Sequence, residues 1–106
     1  MAQRRVKSDT TPVYAIGIAA ELLGVHPRTL RIYEEKGLIR PARRNRMRLF
    51  SERDLQRVQL IQYLTREVGL NLAGVKLFLE LQERYELVVD DILQARRILR
   101  EGRGVR

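Results

Sequence analysis

The chain contains no cysteine and no tryptophan, and only one histidine among its 106 residues. Without thiols there can be no disulfide, no thiolate metal site and no thiol redox switch, and His26 alone cannot build a multi-histidine metal centre. No apolar run reaches the roughly 18 to 20 residues that span a bilayer. The N-terminal "MAQRRVKSDTTP" also lacks the apolar core of a secretory signal, so a cytoplasmic location is expected. Paired carboxylates, a glycine-rich phosphate loop and a nucleophile–base set are all missing, which removes the usual grounds for an enzyme. No catalytic residue, metal or cofactor is therefore expected.

Arginine, by contrast, is abundant. Lysine and arginine number 21 against 13 aspartate and glutamate, for a net charge of +8, and the lysines are only Lys7, Lys36 and Lys76. Such an excess favours a polyanion, nucleic acid first and an acidic membrane surface second. Arginine is the cation suited to bidentate contact with phosphate or guanine. A chain of this size forms one domain, or one domain with an appended element, and small helical units often gain stability by dimerising.

The three prolines punctuate the chain. Residues 1–12 are polar and basic and end at Pro12, which predicts a flexible arm. "VYAI" is long enough for one minimal strand. After Gly17, "IAAELL" is rich in helix formers and stops at Gly24. Pro27 suits the first position of a second helix, "RTLRIYEEK", which ends at Gly37. Pro41 keeps Arg40 out of the helical region, so "LIRP" is extended. "ARRNRMRLF" alternates without a helix cap and predicts a hairpin, or wing.

Ser51 and Asp54 could suggest hydrolytic chemistry, but their spacing is that of a capping box at a helix start. Leu55, Val58, Ile61, Leu64 and Val68 then recur at helical steps until Gly69. Asn71 can cap a further helix with the stripe Leu72, Val75, Phe78 and Leu79, which Gln82 can extend. From Tyr85 a second pattern begins. Tyr85, Val88, Ile92, Ala95 and Leu99 alternate steps of three and four, a two-heptad seam that suits either a core helix or a dimer interface. These readings divide the chain into an arm (1–12), a domain (13–84), a dimerisation helix (85–101) and a disordered tail (102–106).

"IGIAAELLGVHPRTLRIYEE" is the most informative stretch. A helix-turn-helix needs a small residue where its helices touch, a glycine-like turn and apolar residues facing back from the second helix. Ala20, Gly24, Leu30 and Tyr33 meet these needs, although an ordinary helical hairpin would also accept them. With Leu30 and Tyr33 inward, Arg28, Thr29, Arg31 and Ile32 fall on the flanks or outer face, where a recognition helix meets DNA. Arg40, Arg43, Arg44, Arg46 and Arg48 then form a cluster without any acid. It reads as a solvated loop or as a wing that follows the backbone or enters the minor groove. His26 is expected to be either a cap at the start of the second helix or an exposed turn residue.

The segments "YAIGIAAELLGVHPRTLRIYEEKGLIRPARR", "RLFSERDLQRVQLIQYL" and "GLNLAGVKLFLEL" resemble the MerR family of bacterial transcription regulators from about Tyr14 to about Leu81. The resemblance implies a mainly α fold: a winged helix-turn-helix DNA-binding domain with a small β wing and a C-terminal dimerisation helix. Carried over by position, Arg28, Thr29, Arg31 and Tyr33 are helix contacts to DNA, and Arg43, Arg44, Arg46 and Arg48 are wing contacts. Tyr33 has two readings, a ring in the core and a hydroxyl on a phosphate. Ile32 stands where the family often has an aromatic residue, so no contact is carried over there.

Within the family, "GVHPRTLRIYEEKGLI" is most similar to the heat-shock repressors of the HspR type, with the nitrogen-control repressors of the GlnR type as the alternative. The first implies a nucleoid-associated homodimer on an inverted-repeat operator, with the DnaK chaperone as a co-repressor. The lack of a large sensor domain after the seam counts against the drug- and metal-sensing branches. An excisionase-like architectural protein needs no pairing helix, and an RNA-binding protein would favour exposed stacking aromatics.

Overall fold

The computed structural model describes residues 9–103, without the side chains of 98, 99 and 101–103. The chain divides into two compact units, Met1–Val75 and Lys76–Arg106. Most of the expected arm lies outside the described residues, but Asp9 and Thr10 form a turn. The Asp9 carbonyl accepts a hydrogen bond from the Arg53 amide at 2.8 Å, which ties the chain entry to a later helix start.

The first unit runs β1 (Tyr14–Ala15), α1 (Ile16–Leu23), α2 (Pro27–Glu35), β2 (Ala42–Arg44), β3 (Met47–Phe50) and α3 (Glu52–Tyr63). A π-helical turn (Leu64–Val68) and the start of α4 (Leu72–Arg103) follow. The small antiparallel sheet has the order β1-β3-β2. Tyr14 pairs with Phe50, and Arg43 pairs with Arg48. The expected two-helix unit and hairpin are therefore both present, and α1 begins at Ile16, before Gly17 rather than after it.

Small residues bring α1 close to its neighbours: Ala19 and Ala20 are almost wholly buried. Gly24 ends α1 at φ 70°, a left-handed conformation in which its amide reaches the carbonyls of Ala20 and Glu21. Val25 donates to Ala20 O at 3.0 Å, which completes the turn. His26 then caps α2 as expected, its Nδ1 accepting from the Arg28 amide at 2.9 Å. Leu30 is fully buried and joins Leu38, Ile39, Phe50, Val58, Ile61 and Val75 in the core.

The piece after α2 is irregular rather than strand-like, since Leu38 and Ile39 are both buried although consecutive. Arg57 on α3 holds this piece, its Nε donating to Leu38 O at 2.6 Å. The capping box at α3 is complete. Asp54 N donates to Ser51 Oγ at 3.1 Å, and Ser51 N donates to Asp54 Oδ2 at 2.9 Å.

Two helical expectations need correction. Val68 is 51 % exposed, so it does not extend the buried stripe Leu55, Val58, Ile61 and Leu64. The π turn explains this, because an i→i+5 repeat rotates Val68 away from the face that a 3.6-residue repeat would give it. The second correction concerns 84/85, where α4 continues without a break. Its 32 residues, about 48 Å at the standard rise, include no proline and no glycine between Lys76 and Glu101 to interrupt them. It also runs through Gly102 and Arg103, two residues into the expected tail. Asn71 caps α4 as expected, its Oδ1 accepting from Gly74 N at 2.8 Å. A side chain at Gly74 would place Cβ 3.3 Å from that oxygen, so glycine keeps the cap open.

The wing turns through Asn45 (φ 51°) and Arg46 (φ 70°). Two positive φ values in a two-residue loop suit the right-handed twist of the strands, but glycine, asparagine or aspartate normally takes these positions. Relief of about 1–2 kcal/mol of left-handed strain exceeds the roughly 0.5–1 kcal/mol entropy cost of glycine. Arg46→Gly is therefore expected to raise stability by a few tenths to about 1 kcal/mol, read as a higher denaturation midpoint with an unchanged m-value.

Candidate nucleic-acid interface

The outward face of α2 follows from its inward one. With Leu30 at 0 % and Tyr33 at 8 % exposure, the 3.6-residue repeat puts Arg28, Arg31, Ile32 and Glu35 on the opposite side, and all four are exposed. Thr29 lies half-buried on one flank and Glu34 on the other. Arg28 stands in the first turn and Arg31 at the middle of α2, while Glu35 stands at the C-terminal end. The cationic part of this face therefore precedes the acidic part along the helix.

Tyr33 favours the first of its two readings. Its ring belongs to the core, and burial pushes its hydroxyl above the ordinary range. The Arg66 guanidinium from the π turn works in the opposite direction. Nothing in the sequence spacing placed Arg66 beside this helix, since the two residues lie on either side of the wing in the chain.

The wing arginines do not form one uniform group. Period-two alternation puts Arg48 on the same face of β3 as the buried Phe50, and pairing puts Arg43 beside it. Two like charges directly opposite across a hairpin repel each other. Glu34 at the end of α2 resolves this conflict. Its Oε1 accepts from Arg48 Nε at 2.5 Å, and its Oε2 accepts from Arg43 Nη2 at 3.2 Å. Arg44 pairs with Met47 on the opposite, outward face, and Arg46 occupies the tip; Arg40, Arg44 and Arg46 are all exposed. Sequence reasoning missed Glu34 because its partners lie nine and 14 residues away, beyond any helical or strand spacing.

Glu34 has a carboxyl held below its ordinary value. Burial works against the charged form, but hydrogen bonds and charge from Arg48 and Arg43 outweigh it. Among the described residues no group of three or more metal-ligating side chains could hold an ion. No helix among them is long and apolar enough to cross a membrane.

In the second unit, Tyr85, Val88 and Ile92 are 70, 54 and 52 % exposed, and Ala95 is exposed as well. The Leu99 side chain lies outside the described residues. Phe78 and Leu81, at 40 and 57 % exposure, continue the same three-and-four spacing one heptad toward the N-terminus. Phe78 therefore belongs with the seam rather than with the buried stripe expected of it.

Two helices around a tight turn, followed by a β hairpin, define a winged helix-turn-helix. Residues 14–82 match the MerR HTH family regulatory protein model, and the chain belongs to that family. It is 44 % identical over 78 residues to a heat shock protein HspR of Streptomyces coelicolor, which covers 73 % of this chain and 52 % of that protein. The HTH-type transcriptional regulator GlnR of Bacillus anthracis is 37 % identical over 75 residues, covering 70 % of this chain and 57 % of that protein. The chain thus spans little more than half the length of these relatives. Among solved structures, HiNmlR, a MerR family regulator lacking the sensor domain and bound to promoter DNA, superposes with a TM-score of 0.60 at 31 % identity, covering 81 % of each chain. The regulator PbrR691 from Ralstonia metallidurans, in complex with lead(II), gives 0.58 at 28 % identity, covering 85 % of this chain and 77 % of that one.

The lowered Glu34 value sets a pH dependence. A carboxyl depressed in the folded state adds stability that is complete above its ordinary value of 4.5 and is lost as pH falls through the depressed value. Amide-exchange protection in the hairpin of the wild-type chain is accordingly expected to decline below that pH, and to decline less in Glu34→Gln. Equal declines in both would remove Glu34 as the cause.

Proposed function

We propose that this chain is a dimeric, sequence-specific DNA-binding repressor of heat-shock and chaperone genes, acting on an inverted-repeat operator. The observation that carries the reading is a recognition helix with Arg28 and Arg31 on its outer face beside a wing that exposes Arg44 and Arg46. The helix reads base edges, with Thr29 on its flank. The wing supplies phosphate contacts, with Arg40 beside it. The Tyr33 hydroxyl adds at most a contact at the helix edge, because its ring is buried.

The exposed seam on α4 supports the dimer. Phe78 to Ala95 leaves apolar side chains in water at coiled-coil spacing, and a second copy pairing along it would bury them. An excisionase-like architectural protein has no use for such a seam. Likeness to the HspR relative favours the heat-shock branch over the nitrogen-control alternative, and the resemblance read from the sequence is the ground for chaperone operons and for DnaK as co-repressor. A dimer neutralising on the order of 6–10 phosphates would lose about 10³–10⁵ in affinity between 50 and 200 mM salt.

Selection of duplexes from a random pool, followed by footprinting, tests the function. An enriched inverted repeat that matches chaperone promoters is expected. A match to nitrogen-assimilation promoters would move the chain to the alternative branch, and failure to enrich any sequence would defeat the repressor reading. For the dimer, sedimentation at micromolar concentration should give two chains for the wild type and one for Ile92→Asp. A wild-type monomer that Ile92→Asp leaves unchanged would sink it.

A further inference from the structure

We infer that Glu34 is a positioning residue that latches the wing to the recognition helix, so that Arg43 and Arg48 hold the wing while Arg44 and Arg46 meet the DNA. The inference rests on the reading that α2 and the wing bind DNA, and it divides an arginine cluster that the sequence presents as uniform. Its basis is one carboxylate bonded at both oxygens, each to a different strand of the hairpin.

Three features make this arrangement more than a surface ion pair. Glu34 and Arg48 side chains are only 23 and 25 % exposed, so solvent screens their contact less than it would a fully exposed pair. Arg43 and Arg48 face each other across the hairpin, and without the carboxylate between them their repulsion would push the strands apart. Glu34 also sits in the last turn of α2, where the helix dipole disfavours an acid and favours the two cations drawn toward it. The wing is thus fixed to α2 at one point, and its turn residue Arg46 is kept in a strained left-handed conformation beyond that point. Backbone strain of this kind clusters at ligand-binding sites.

A carboxylate next to a DNA-binding surface repels phosphate, so charge alone predicts that Glu34→Gln binds more tightly. The latch predicts the reverse. With the duplex enriched from the random pool, Glu34→Gln is expected to weaken binding about tenfold at every salt concentration, a loss within the range of coupled neighbouring residues. The slope of log affinity against log salt should stay unchanged. Arg44→Gln should reduce that slope by about 0.9 for each phosphate no longer neutralised.

The Arg43→Gln, Arg48→Gln double variant should weaken binding without changing the slope, and adding Glu34→Gln to it should cost nothing further. This double variant leaves Glu34 intact, so it remains informative if Glu34→Gln folds poorly. Binding by Glu34→Gln as tight as wild type or tighter would overturn the latch. So would a slope that falls with Arg43 and Arg48 as it does with Arg44. If the wild-type chain binds no duplex, the DNA-binding reading itself fails, a result separate from either of these.

Discussion

Phe50 and Ser51 lie where the wing, β1 and α3 meet. Phe50 is fully buried, pairs with Tyr14 in β1, and accepts from the Val13 amide through its carbonyl at 3.0 Å. Ser51, also buried, caps α3 reciprocally with Asp54. One step of the chain thus ends the wing, anchors the sheet in the core and starts the next helix. Tyr14 adds a second tie from the same strand, its hydroxyl donating to Glu52. The outer half of the hairpin can therefore be polar and charged, because its inner end is fixed by an aromatic side chain that has no other place to go.

From that anchor the hairpin carries opposing demands. A surface that grips a polyanion needs concentrated positive charge, and concentrated positive charge destabilises the element that presents it. The structure separates these demands by face. Arg43 and Arg48 share the Glu34 carboxylate, which offsets one of their two charges, while Arg44 lies on the opposite face and Arg46 at the tip. The helix makes a similar division along its length, with its arginines in the first and middle turns and its acids in the last. α4 raises a separate problem, since it leaves a row of apolar side chains in water, a feature that marks interaction surfaces.

Much of this was legible in sequence because the signals are local. Gly24, Pro27 and the Ser51–Asp54 pair act within a few residues of themselves, so the starts of α2 and α3 and the end of α1 could be read directly. The inward side of α2 followed from Leu30 and Tyr33, and the seam followed from its spacing. What could not be read depended on backbone changes or on contacts across space. The π turn broke the helical period at Val68, and no residue there announces it. The continuous α4 could not be told from two helices, because a change of apolar pattern need not be a change of backbone.

By itself the sequence determined the kind of element at each place, the inward face of α2 and a strongly basic composition, because capping, periodicity and composition operate over short distances. Only the tertiary structure decided which arginines are free, because that depends on Glu34 reaching two strands of a hairpin nine and 14 residues further on. It likewise brought Arg66 near Tyr33 and Arg57 onto the Leu38 carbonyl. Charge can be counted along a chain, but whether a given charge is available is set by what folds beside it.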